Sequence, residues 1–151
     1  METRTKRDLI LDAFRELLEN EDIQHISVNE IAKKAGIGKG SIYYYFSSKD
    51  EILNALIKRT YADVVEMAKG LVNQTDLSIY ARLAKITNAC IAATGDFLRR
   101  SEAVRNKMDV SERIYDSAYI HQQFMSHIIK QQKPIFATII NQGIQAGEIK
   151  F

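Results

Sequence analysis

A chain of 151 residues with 46% apolar side chains can build a real core, as one large domain or two small ones, and its net charge of +2 excludes a polyelectrolyte or a charge-expanded disordered tail. One proline and seven glycines leave few of the breaks that many short strands need, so the composition points to helices. The lone cysteine, Cys90, excludes an internal disulfide, the charged start METRTKRDLILDAF lacks the apolar centre of a signal peptide, and no run approaches the roughly 18 apolar residues of a membrane span; a soluble, cytoplasmic protein is expected.

In chain order, the first helix is predicted from Thr3 or Thr5 to Glu19, with Leu9, Ile10, Ala13, Phe14, Leu17 and Leu18 on one apolar stripe. NEDIQHI is a connector. Ser27 and Glu30 have the spacing of a capping box, so a second helix starts at Ser27; Gly36, which takes a left-handed backbone without a Cβ clash, ends it. A short third helix covers about Lys39 to Phe46. Ser48 and Glu51 form a second capping box that opens a fourth helix, reaching Ala68 with Ile52, Leu53, Leu56, Ile57, Val64, Val65 and Ala68 buried. GLVNQTD breaks the pattern. A fifth helix is predicted over about Leu77 to Arg100, a sixth segment from a Ser101 cap to Met108, and a last helical stretch from Ser111 to Ala146 that Pro134 must kink or interrupt and that Gly143 and Gly147 weaken. The fold class is therefore all-α. Cys90, in the apolar stretch TNACIAA, reads as a small buried hydrophobe.

Residues 1–60 hold ten Lys/Arg and ten Asp/Glu, so net charge says little about a partner, but the distribution says more. No acidic residue lies between Glu30 and Asp50, where Lys33, Lys34, Lys39 and Lys49 flank Tyr43, Tyr44 and Tyr45. A basic, aromatic-rich patch of this kind suits a polyanion, although a solvated lysine-rich face fits the charges equally well. Geometry favours the first reading. Two closely crossing helices need a small residue where they touch (Ala32), a residue tolerant of positive φ in the turn (Gly36) and an apolar plug in the joint (Ile42), with Ile31 and Ile37 completing a small core. Ile42 and Phe46, four apart, then face inward. Lys39 with Tyr43, and Gly40 with Tyr44, face outward as on a recognition helix, and Tyr45 is partly core. Lys39 suits guanine O6 and N7, and the tyrosine hydroxyls suit phosphate.

The stretch ISVNEIAKKAGIGKGSIYYYFSSKDEIL, residues 26–53, closely resembles the DNA-binding signature of the TetR family of transcriptional regulators. The likeness lies in the Ser cap, the Ile-Ala pair, the Ala-Gly turn, the Gly-Ser-Ile-Tyr segment, the Tyr-Phe pair and the Ser-Lys-Asp-Glu-Ile-Leu close. It covers the first 55 to 65 residues; beyond them only the helical character matches. The resemblance implies a DNA-binding domain over residues 1–48 and a C-terminal effector-binding and dimerisation domain over 49–151, joined by the fourth helix. It places DNA contacts on Ser27, Asn29, Lys39, Gly40, Ser41, Tyr43, Tyr44, Tyr45 and Lys49, with Gly38 standing where the family often has serine. Lys49 also begins a helix, where free N–H groups favour phosphate.

The resemblance further implies a repressor bound as a homodimer to a pseudo-palindromic double-stranded operator and released by a small-molecule effector. An effector that favours a state in which the fourth helix swings would spoil the spacing of the two recognition helices. Pocket walls are expected from Thr87, Asn88, Thr94, Phe97, Tyr115, Tyr119, Phe124 and Met125 on the inner faces of the fifth to seventh helices. Family members continue past a GEI-like segment, here Gly147-Glu148-Ile149, into two helices that pair across the dimer, so a bundle lacking those last helices is expected. His25, His121 and His127 show no metal-site spacing, and no nucleophile set or phosphate loop stands out. No cofactor, metal, membrane partner or enzymatic activity is expected. The alternative is a helical ligand-binding or protein-interaction module whose helix-turn-helix is silent toward DNA.

Overall fold

A computed structural model describes residues 3–99 and 102–150, and among these the chain is helical with no strand. Its elements are α1 (Lys6–Asn20), α2 (Val28–Ala35), α3 (Lys39–Tyr45), α4 (Lys49–Val72), α5 (Ile79–Leu98), α6 (Glu102–Lys107) and α7 (Val110–Gln145). The all-α expectation holds. The cap expected at Ser101 lies outside the described residues. No helix among them is long and apolar enough to cross a membrane.

The chain folds into two compact units, Met1–Ile57 with Leu98–His121 and Lys58–Phe97 with Gln122–Phe151. This departs from the division expected at residues 48 and 49. Two local causes are visible. The helix begun at Lys49 runs unbroken to Val72, and the connector after α1 takes partners from far along the chain: the Ile23 N–H donates to Asp116 Oδ1 at 3.1 Å.

The first unit is built on α1. Thr5 and Asp8 close a capping box at its start, and Ile10, Leu11, Phe14 and Leu18 bury its apolar stripe. That stripe packs on α2, and α2 on α3. Ile23 and Ile26 of the connector are buried in the same core as Ile52, Leu53, Leu56 and Ile57 of α4. At the start of α4, the Glu51 N–H donates to Ser48 Oγ as expected, but the Glu51 carboxylate reaches one residue further back and accepts from the Ser47 N–H at 2.7 Å. That bond, above all, holds the Glu51 carboxyl below the usual carboxylate range.

The second unit centres on Tyr61, Ala68 and Leu71 of α4, Ile79, Ile86, Cys90 and Phe97 of α5, and Phe124, Ile135 and Ile139 of α7. Cys90 is buried as expected, and burial pushes its thiol pKa up. Arg82 is buried too. Its guanidinium donates to Gln142 Oε1 at 2.6 Å and sits 3.5 Å from the Leu71 and Val72 carbonyls, so a cation meets the negative end of α4.

Two expectations about α7 are corrected. Pro134 does not interrupt the helix; it and Lys130, whose carbonyl loses a donor, are both exposed, so the loss falls on the solvent side. Gly143 is not a weak point but a contact, because a Cβ there would lie 2.6 Å from Ile79 Cγ2. Gly147, at φ 74°, ends the helix, with the Glu148 N–H donating to the Gly143 carbonyl and the Gly147 N–H to that of Ile144. Glu148 then accepts the Ile79 N–H at 3.0 Å and caps α5.

Candidate nucleic-acid interface

The interface is built from α2, a turn and α3. Ser27 Oγ accepts the Glu30 N–H at 3.2 Å, while Glu30 Oε2 accepts the Ser27 N–H at 2.7 Å and its hydroxyl at 2.8 Å. These bonds hold the Glu30 carboxyl below its ordinary pKa, the Ser27 N–H contributing most. A cap of this kind stabilises a helix by about 1 kcal/mol. Gly36 then turns the chain at φ 70°, ψ 30°, and its N–H goes back to the Ala32 and Lys33 carbonyls. A residue with a Cβ would cost about 1–2 kcal/mol in that conformation. Ile37 follows, half-buried, and its N–H donates to the Ala32 carbonyl at 3.1 Å.

Ala32 and Ile42 are both buried, so the small residue and the plug sit where the crossing needs them. Phe46 is buried beneath α3, with the Arg7 guanidinium 5.2 Å from its ring centre. Gly38 precedes α3 without a side-chain cap. With Ile42 turned inward, the rest of α3 turns out: Tyr43 is 50% exposed, Tyr44 83% and Tyr45 37%, and Lys39 and Gly40 are exposed while Ser41 is half-buried. Tyr44 and Tyr45 meet edge to face at 5.0 Å. Together with Gly40, Ser41 and Lys6 of α1 they line a shallow cleft. Lys6 lies outside the helix-turn-helix pattern, and nothing in the spacing of the sequence placed it beside the tyrosines.

The four lysines of the acid-free stretch do not form one patch. Lys33 and Lys39 are exposed, but Lys34 pairs with Glu16 of α1 at 2.8 Å. Lys49 is half-buried, and its ammonium donates to the carbonyls of Ile23 at 2.7 Å and Ile26 at 3.0 Å. Two of its three donors therefore tie the connector down. Ser27 and Asn29 are exposed, but the Ser27 hydroxyl already gives its proton to Glu30.

The expected effector residues are divided between the two units. Phe97 and Phe124 lie in the second unit's interior and Thr94 is half-buried: Phe97 and Phe124 meet at 4.5 Å and 77°, and the Thr94 hydroxyl bonds the Cys90 carbonyl of its own helix at 2.8 Å and also contacts the Tyr61 hydroxyl. Thr87 and Asn88 are exposed, because Ile86 and Cys90 define the inward stripe of α5 and the two positions after Ile86 turn away from it. Met125, beside buried Phe124, is 40% exposed. Tyr115 and Tyr119 belong to the first unit, stacked at 6.2 Å; the Tyr119 hydroxyl donates to Asp50, and burial first and that carboxylate second push its pKa up to about 12.

Residues 10–56 match the sequence profile of a family described as bacterial regulatory proteins, tetR family. Over 147 residues the chain is 26% identical to the fatty acid metabolism regulator protein of Bacillus subtilis, an alignment that takes in 97% of this chain and 72% of that protein. It is 23% identical to the transcriptional repressor KstR2 of Mycolicibacterium smegmatis, over 97% of this chain and 68% of that one. The crystal structure of the transcriptional regulator FadR from Bacillus subtilis in complex with stearoyl-CoA superposes with a TM-score of 0.64 at 26% identity, covering 95% of this chain and 73% of that one.

Proposed function

We propose that the chain, whose residues 10–56 match the TetR family of bacterial regulatory proteins, is a DNA-binding transcriptional repressor controlled by an effector, with the outer face of α3 as its reading surface. The observation that carries this is Tyr44. A fully buried large apolar side chain gives about 1.5–3 kcal/mol to folding, and at 83% exposure Tyr44 forgoes nearly all of that, on a helix whose other face is anchored by fully buried Ile42. Tyr43 and Tyr44 hydroxyls and the Ser41 hydroxyl suit phosphate oxygens, Lys39 suits the guanine edge, and exposed Gly40 lets sugar-phosphate approach the backbone. Lys6, beside the tyrosines, adds a second cation. Asn29 and Lys33 of α2 are exposed as well. Lys49 supports it by holding the connector.

A two-fold operator requires two such helices about 34–36 Å apart, so the binding species is a homodimer. Exposed Tyr80 and Ile91 of α5, eleven residues and three turns apart on one face, and exposed Ile129, Ile140 and Ile144 of α7 support a second copy as the partner of the second unit. For the effector, the relative that binds stearoyl-CoA supports a long-chain acyl thioester. The aromatic interior of the second unit suits an acyl chain, and Gln132 there is 1% exposed with both amide atoms lacking a hydrogen-bond partner among the described residues. Such a group costs about 1–3 kcal/mol until a polar partner reaches it.

The test is binding to a duplex selected from a random library, followed across a salt series. Lys39→Ala and Tyr44→Ala should each weaken binding about tenfold, and Lys39→Ala should reduce the salt slope by about 1. Stearoyl-CoA should release the complex. Unchanged affinity and slope in both variants would favour the DNA-silent module instead.

A further inference from the structure

We infer that Asp22, His25 and Glu112 form a site for a divalent transition-metal cation, of the zinc or cobalt kind, which ties the connector before α2 to the first turn of α7. All three belong to the first unit. One ligand atom from each lies within 4.8 Å of the other two, and the three side chains line a single open cleft with Glu21 and Lys107.

The second observation is the state of Asp22. It is 4% exposed, and its Oδ2 has no hydrogen-bond partner among the described residues. Oδ1 is held by the Gln24 N–H at 3.1 Å, so the unsatisfied oxygen is the one turned toward His25, 3.5 Å from Nδ1. That separation is too long for a good hydrogen bond, and a buried carboxylate oxygen left bare is costly.

A bound cation accounts for this arrangement. With metal–ligand bonds of about 2.1 Å, a tetrahedral site puts ligand atoms roughly 3.4 Å apart, which is the separation Asp22 and His25 already have. Glu112 closes the remaining gap by a side-chain adjustment. Its Oε2 accepts the Asp109 N–H at 3.0 Å, which orients the carboxylate, and the Gln24 N–H does the same for Asp22; outer contacts of this kind are what fix metal ligands. An imidazole with two carboxylates favours zinc, cobalt or manganese over calcium, and three protein ligands leave a position for water. The ion would stiffen the segment whose Ile23 and Ile26 carbonyls hold Lys49 and which leads into the Ser27 cap. The site does not depend on what α3 binds. Sequence spacing hid it because its one histidine pairs with acids, the second of them far along the chain.

The test uses untagged, metal-stripped full chain titrated with Co2+ by visible absorption and with Zn2+ by calorimetry. One ion per chain should bind, and His25→Gln and Glu112→Gln should each weaken binding about tenfold or more. Both variants should keep the metal-free fold, checked by circular dichroism: the His25 side chain is 69% exposed, and glutamine serves at the third position of a capping box. Lys107→Ala should bind as tightly as the parent or tighter. Absence of saturable binding below about 1 mM, or equal binding by parent and both glutamine variants, overturns the assignment.

Discussion

Two sets of aromatic side chains in this molecule are put to opposite uses. On α3, Tyr43 and Tyr44 stand in solvent, and their rings contribute little to folding. In the second unit, Tyr61, Phe97 and Phe124 are fully buried, with Phe124 edge-to-face against both of the others at 5.1 Å and 4.5 Å. Composition alone treats these rings alike. What separates them is the helix that carries them: α3 is seven residues long with a single buried plug, whereas α5 and α7 run many turns and keep an inward stripe along their length. Exposed rings are therefore available for recognition, and buried ones set stability.

The sharpest way to break that contrast is to truncate one ring from each set. Phe124→Ala should cost about 3–5 kcal/mol in denaturant unfolding, because a fully buried ring leaves a cavity its neighbours only partly fill. Tyr44→Ala should change stability by less than about 0.5 kcal/mol. A Tyr44→Ala loss comparable with that of Phe124→Ala would show that the α3 tyrosines are core after all. The glycines sharpen the same contrast at smaller amplitude. Gly143→Ala drives a Cβ to 2.6 Å from Ile79, itself 1% exposed and unable to give way freely, so a loss of about 1–3 kcal/mol is expected. Gly40→Ala on α3 meets nothing within 4 Å and should raise stability by up to about 1 kcal/mol while weakening DNA binding. A stabilised Gly40→Ala protein with unaltered DNA affinity would mean the backbone there is not approached.

Much of the α2–α3 segment was legible because its chemistry is local. Ser27 with Glu30, Ala32, Gly36 and Ile42 sit within sixteen residues, and short-range spacing fixes which way each must point. What escaped was everything that joins distant segments. For Lys49 a sequence shows the helix start but not the connector carbonyls that take two of its donors. Gly143 looked like a weakness because Ile79, its contact, lies far away in the sequence. Thr87 and Asn88 looked inward because polar residues in an apolar helix draw notice, although the phase set by Ile86 and Cys90 already turned them out. Tyr61 carried no motif at all, yet its buried hydroxyl donates to the Cys90 carbonyl at 3.0 Å. Its burial followed from the period of α4, since it lies four residues beyond Ile57 on the same face.

The smallest effect concerns a ring that belongs to neither set. His127, half-buried on α7, has its centroid 6.1 Å from that of Tyr61. Burial first, and then the charges of Lys58 and Lys130, hold its pKa below the ordinary 6.5. The unfolded chain therefore takes up this proton at a higher pH than the folded one does. Above pH 6.5 His127 is neutral in both states and exacts no penalty; as pH falls from there through the folded-state value, the unfolded state is increasingly favoured and stability drops. His127→Gln removes this contribution, so between about pH 7 and pH 5 its melting temperature should fall less steeply than the parent's. Only the difference between the two curves reports His127. Parallel curves would mean that the imidazolium is accommodated beside Tyr61 without cost, and that this edge of the second unit is wetter than the aromatic cluster next to it.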